Sequence, residues 1–204
     1  MTGVTKTWGF RTIRFSTGQY ATLASQQGNA RISLIFLNLP DGNIHGQGFP
    51  GKQFASLGSL YARKVPTLHS VDGESSYSPE DLQAVLQELV GAFQPTELRI
   101  QSHAIQAYYA DHSDHEAAGL FAEAALAGYQ PSWIAQLPVT RYVGYPILGL
   151  EPNVSGDELQ QKMDAFLRYA SHDDGVCQTQ ISCETDSAYG AYLAGPVGHC
   201  IECH

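Results

Sequence analysis

Cysteine is missing from the first 176 residues of this 204-residue chain, basic residues are scarce, and no apolar run is long enough to cross a bilayer. Each absence excludes something. With 11 Lys and Arg against 20 Asp and Glu, for a formal charge of −9, the composition argues against a nucleic-acid partner or an anionic membrane surface. No membrane-spanning segment is expected, because a helical span needs about 20 consecutive apolar residues. Met1 to Phe10 lacks the basic segment and apolar core of a signal peptide, so none is expected in this chain. A neutral or sugar-like ligand suits this charge balance better.

What the chain does have is an ordinary globular composition, 43% hydrophobic and 15% charged, and enough length to bury one sizeable core. All of its cysteines (Cys177, Cys183, Cys200 and Cys203) fall after residue 176. That asymmetry marks a change of module, and the expected division is a domain over 1–176 and a cysteine-containing tail over 177–204.

Hydrophobic periodicity predicts a helix over 16–26 and a buried strand over Ile32 to Leu37, running into the turn Leu39-Pro40-Asp41-Gly42. A second helix is expected over Gly51 to Val65, then loop over Thr67 to Tyr77. Ser78-Pro79-Glu80-Asp81 is a helix start, with a cap, a proline at the first position and acids against the positive end of the dipole. Leu82, Val85, Leu86, Leu89, Val90 and Phe93 continue it at helical spacing. A strand follows over Glu97 to Gln101, another over Val139 to Tyr145, and a capping-box pattern at Ser155 opens a last helix. Strands alternating with helices imply an α/β layered domain with a mostly parallel sheet.

The densest chemistry is Asp111-His112-Ser113-Asp114-His115, where four of five residues bind metals or move protons. Ala117, Ala118, Leu120, Phe121, Ala124, Ala125 and Leu126 place it at a helix entrance, with Ser113 as the expected cap. Two histidines three apart share one side of a first helical turn and can converge on one centre, with carboxylates alongside to orient or ligate. Read blandly, the same residues merely cap a helix. His69 and His103 are expected to be ordinary surface or core histidines.

In order, Leu39-Pro40-Asp41-Gly42, Asp111 to Gly119, Tyr142-Val143-Gly144-Tyr145-Pro146-Ile147, Asn153-Val154-Ser155 and Tyr169 to Asp173 resemble the PIG-L (LmbE-like) deacetylases over roughly residues 10–177. The resemblance implies a Rossmann-like fold and a single zinc ion used to deacetylate N-acetylglucosamine-type substrates. It further implies that His115 is a zinc ligand and that His112 serves the oxyanion or the leaving amine. Asp114 becomes a charge-tuning acid between them, and Asp41 an acid near the substrate. The family's His-Pro-Asp-Asp strand end, source of two more ligands and the general base, occurs nowhere in this sequence. The expectation is therefore a sheet incomplete at its amino end, with an impaired or inactive zinc-dependent amide hydrolase site.

Cys200-Ile201-Glu202-Cys203-His204 is the Cys-x-x-Cys-His pattern by which c-type haem is attached, through Cys200 and Cys203 with His204 as axial ligand. Tyr189 to His199 resembles the lead-in to a cytochrome c domain, and residues from 189 onward are expected to fray. Haem c in the parent protein would place it in the periplasm or outside the cell, where Cys177 and Cys183 could pair across a short loop. The sequence thus leaves three readings: an amide hydrolase, an electron-transfer protein on an α/β carrier, and a non-catalytic α/β binding module.

Overall fold

The computed structural model describes residues 7–104 and 110–195. It opens with an antiparallel meander of β1 (Trp8–Arg14), β2 (Tyr20–Gln26) and β3 (Ser33–Phe36), in that spatial order. The helix expected over 16–26 is instead a turn and β2. Arg14 faces Tyr20 across the hairpin, whose turn places Gly18 at φ 101°, and Ala21 and Leu23 face the core in strand alternation. Cross-strand pairing outweighs the weak helical preference of the segment.

β3 forms where the sequence places a strand, but it is an edge strand. Leu34 is 46% and Phe36 43% exposed, while Ile35 on the other side packs against the core. The mostly parallel sheet of the expectation is corrected here. The turns at 15–19 and 27–32 are too short for the crossover that parallel neighbours need, so these strands pair antiparallel.

The helix expected over Gly51 to Val65 is also shorter than its periodicity suggests. A single 3₁₀ turn at Pro50–Lys52 ends in left-handed Gln53 and Phe54, and helix α1 spans only Leu57–Tyr61. Ser56 and Ser59 make a reciprocal capping box at its start. The expected loop over Thr67 to Tyr77 contains a small ladder, β4 (Leu68–His69) with β5 (Ser76–Tyr77). Leu68 and Tyr77 are fully buried there, which makes this hairpin part of the core.

α2 (Pro79–Phe93) matches its sequence signature. The Ser78 hydroxyl accepts from the Asp81 amide at 3.1 Å, and the Asp81 carboxylate accepts from the Ser78 amide at 3.0 Å. Leu82 and Val85 then enter a core shared with Phe15, Leu57, Leu60, Leu68, Tyr77 and Phe121.

Next come β6 (Leu98–Gln101), α3 (Ser113–Gly128) and β7 (Val139–Tyr142). β6 and β7 are parallel, with Leu98 opposite Val139 and Gln101 opposite Tyr142, and α3 is the crossover between them. Among the described residues this is the parallel part of a mixed α/β fold whose other two sheets are antiparallel. A βαβ unit brings the entrance of its helix to the carboxyl ends of its strands.

A second apolar cluster joins α4 (Gly156–Ala170), α5 (Gln180–Thr185) and α6 (Tyr189–Ala194) through Met163, Cys183 and Leu193, with Phe166 and Leu167 against them. Cys177 and Cys183 are joined in a disulfide within it. The division drawn at 176/177 runs through this cluster. Residues 189–195, expected to fray, form α6 and pack through buried Leu193. Ser155 makes no side-chain cap at the start of α4, where Gly156 is left-handed at φ 57°. No helix among the described residues is long and apolar enough to cross a membrane.

Tyr77 gives the main core a pH signature. Its hydroxyl donates to the Tyr20 carbonyl at 3.1 Å, and burial raises its pKa above the ordinary phenol value, with Asp72 adding to the rise and a Ser75 hydrogen bond opposing it. A raised folded-state pKa means that this contribution is complete below about pH 10 and fades as pH climbs through the raised value. Tyr77→Phe is predicted to cost about 1 kcal/mol at pH 7 and to lose less stability than wild type above pH 10. Denaturant unfolding at pH 7, 9 and 11 checks this; identical alkaline slopes would contradict it.

Candidate metal centre

Asp111 lies just before α3, and its side chain is only 6% exposed. Its carboxylate accepts from the His112 amide at 2.8 Å, the Gly144 amide at 2.8 Å and the Tyr145 amide at 3.1 Å. The His115 Nδ1 is 2.7 Å away and makes the fourth contact. The start of α3 is thereby tied to the chain leaving β7. Burial alone would raise the Asp111 pKa, but the bonds from His115, Gly144, His112 and Tyr145 outweigh it and hold the carboxyl below its ordinary value.

Gly144 is required by this close approach, since a Cβ there would lie 2.5 Å from Asp111 Oδ1 and collide with the His115 ring as well. With Asp111 ionised, His115 donates from Nδ1–H, and Nε2 is left as the nitrogen with a lone pair. A histidine fixed by a carboxylate in this way has the orientation and tautomer of many metal ligands and proton carriers.

His112 is the N-cap of α3, not Ser113: its Nδ1 accepts from the Asp114 amide at 3.2 Å. Ser113 is the first helical residue, and its hydroxyl is engaged elsewhere, donating to the Asn43 carbonyl at 2.8 Å. The Ser113 amide also reaches the Ile44 carbonyl at 3.0 Å. These contacts stitch the turn after residue 39 onto the helix entrance.

That stitching brings Asp41 to the cluster. His112 Nε2 lies 3.7 Å from Asp41 Oδ1, and His112 Nδ1 lies 3.8 Å from Asp114 Oδ2. One donor atom from each of Asp41, His112 and Asp114 falls within 4.8 Å of the other two. Asp114 Oδ2 accepts from the Gly42 amide at 2.8 Å, whereas Asp114 Oδ1 is buried with no hydrogen-bond partner. Gly42 permits this, because a Cβ there would meet that oxygen at 2.5 Å. A buried carboxylate oxygen without a donor is costly unless a proton or cation completes it. One imidazole and two carboxylates are ligands of the kind zinc accepts, and for His112 to be one of them it must give up the Nε2 proton or the Nδ1 bond to the Asp114 amide.

Four of the expected site residues therefore meet at one helix entrance: Asp41, His112, Asp114 and His115. His115 stands beside the other three, its ring 5.4 Å from that of His112, and its bonded nitrogen faces Asp111. His103 lies apart, 3.4 Å from Glu123, which also bonds Arg141. His69 is an exposed strand residue. Cys200, Cys203 and His204 lie outside the described residues. The contributions of Gly42 and Gly144 have no signal in the sequence, because both follow from distances between segments far apart in the chain.

Comparison of the chain with protein-family models, with curated proteins and with solved structures finds no match.

Asp111→Ala would leave the Gly144 and Tyr145 amides and the His115 Nδ1–H without their acceptor, and is predicted to cost about 3 kcal/mol or more. Gly144→Ala should destabilise in the same direction by forcing the turn away from Asp111. Urea unfolding measures both. A loss under about 1 kcal/mol for Asp111→Ala would show that the carboxylate does not organise this region.

Proposed function

We propose that the entrance of α3 is a divalent-cation centre of the zinc-dependent amide hydrolase type, in which Asp41, His112 and Asp114 would hold the ion. The convergence of one donor atom from each of these three side chains is the observation that carries the reading. When bound, zinc supplies Lewis-acid polarisation of an acyl carbonyl and a source of hydroxide near neutral pH. The chain itself positions the reacting groups. Asp111 holds His115 with Nε2 bare, suited to receive a proton or pass one to a leaving amine.

This assignment exchanges the parts that the PIG-L resemblance implies for the two histidines, because the bonded face of His115 is turned to Asp111 while His112 faces both Asp41 and Asp114. The βαβ unit supports the Rossmann-like layering which the same resemblance implies. An N-acetylated sugar or a similar small amide is the proposed substrate class. The Cys177–Cys183 bond supports an oxidising compartment, periplasmic or extracellular. Cation affinity is the first property to measure, since the sequence has no His-Pro-Asp-Asp segment to supply the general base of the resemblance.

A plainer reading has its own support: the His112 cap bond alone would account for a histidine at this position. Zinc titration by calorimetry separates the two. His112→Ala and Asp114→Ala are each predicted to weaken zinc binding at least about tenfold, and His115→Ala to leave it nearly unchanged while removing any acetamide hydrolysis. A zinc affinity that falls with His115→Ala but not with His112→Ala would return the ligand role to His115. Absence of zinc binding in the wild-type chain would leave only the helix cap.

A further inference from the structure

The turn after β7, with α4 and α6, lines an open cavity of about 470 Å³ beside His115. Its walls are almost wholly apolar or aromatic, carried chiefly by Tyr145, Phe166, Tyr189, Tyr192 and Leu193. The rings form a continuous series away from the histidine. Ring centres are separated by 5.5 Å from His115 to Tyr145, 6.1 Å from Tyr145 to Tyr192, 6.3 Å from Tyr192 to Tyr189, and 5.3 Å from Tyr189 to Phe166. These are the separations at which aromatic faces and edges attract one another, and they present π surfaces to an inserted group.

Lys162 is the one lysine or arginine in the lining, and its amino group is directed at the carbonyls of Tyr192 and Gly195 at 2.7 and 3.3 Å. Its charge is engaged at the end of α6, so the cavity offers shape and apolar contact in place of a charged anchor. The volume falls within the range of about 300–1,000 Å³ typical of small-molecule sites. An apolar ring laid against these walls gains from leaving water, and a charged group finds no free counter-charge among them.

We propose that this cavity receives a neutral, ring-sized apolar substituent of the substrate and so sets the amide against His115, an inference that rests on the amide-hydrolase reading of the α3 entrance. The disulfide is a positioning element in it, because Cys183 packs with Leu193 in the cluster that holds α6 over the cavity. Specificity then comes from the helices that follow β7, and cation chemistry from the segment that precedes α3.

The test uses the full chain and two neutral probes, N-benzylacetamide and N-methylacetamide, titrated by NMR with and without zinc. The benzyl amide should bind at least about tenfold more tightly, with shifts in the amides of Tyr145, Tyr189 and Tyr192. Tyr192→Ala should erase that preference, while His112→Ala leaves it intact. Ile147→Trp enlarges a wall residue into the space while keeping every aromatic wall, and should also erase it, which keeps the proposal testable if Tyr192→Ala unfolds α6. Equal binding of the two probes by wild type, or a preference that survives Ile147→Trp in a folded protein, would overturn the cavity assignment. A ring preference that persists when zinc does not bind would support the cavity and remove the hydrolytic reading; zinc binding without a ring preference would do the reverse.

Discussion

One buried carboxylate, Asp111, receives hydrogen bonds from two segments of chain that would otherwise have no reason to meet. Its bonds to the amides of Gly144 and Tyr145 hold the exit of β7 against the entrance of α3, and its bond to His115 sets that imidazole's tautomer and direction. Remove the carboxylate and three consequences follow together. The βαβ crossover loses its fastening, His115 is free to rotate, and Tyr145 no longer stands between His112 and the aromatic cavity. A single short-range interaction thus connects fold, tautomer and pocket. The cost of burying the charge is offset locally, by donors fixed in the backbone, which is why Gly144 must lack a side chain.

The cluster of Asp41, His112 and Asp114 is built on the other side of the same helix entrance by a different device. Ser113 binds the carbonyl of Asn43, Asp114 binds the amide of Gly42, and the turn bearing Asp41 is drawn onto α3. The two imidazoles separate along this division. His112 faces the carboxylates of Asp41 and Asp114, while His115 is bonded to Asp111 and lines the cavity. One helical turn therefore presents one histidine to the carboxylates of Asp41 and Asp114 and the other to Asp111 and the cavity.

The sequence made some of this legible and hid the rest for identifiable reasons. α2 could be placed because its cap, proline, acids and apolar positions all agree, and β6, α3 and β7 because pattern and length agree as well. β2 was hidden because its helix-like spacing carries no information about the hairpin that pairs Tyr20 with Arg14. The exposure of β3 was hidden likewise, since an apolar run reads the same on a central strand and on an edge. Asp111 to His115 stood out as a cluster, but which nitrogen faces which carboxylate depends on segments seventy or more residues away. The aromatic cavity gave no signal at all, because Tyr145, Phe166 and Tyr192 share no periodicity and meet only when α4 and α6 close over the turn.

The tautomers of the two histidines test this account most directly. ¹⁵N-resolved NMR of the imidazole rings at neutral pH, without added metal, should find His115 in the Nδ1–H form and His112 in the Nε2–H form. In Asp111→Asn, the His115 preference should be lost. A wild-type His115 that carries its proton on Nε2, or exchanges freely between the two forms, would contradict the claim that Asp111 organises this site.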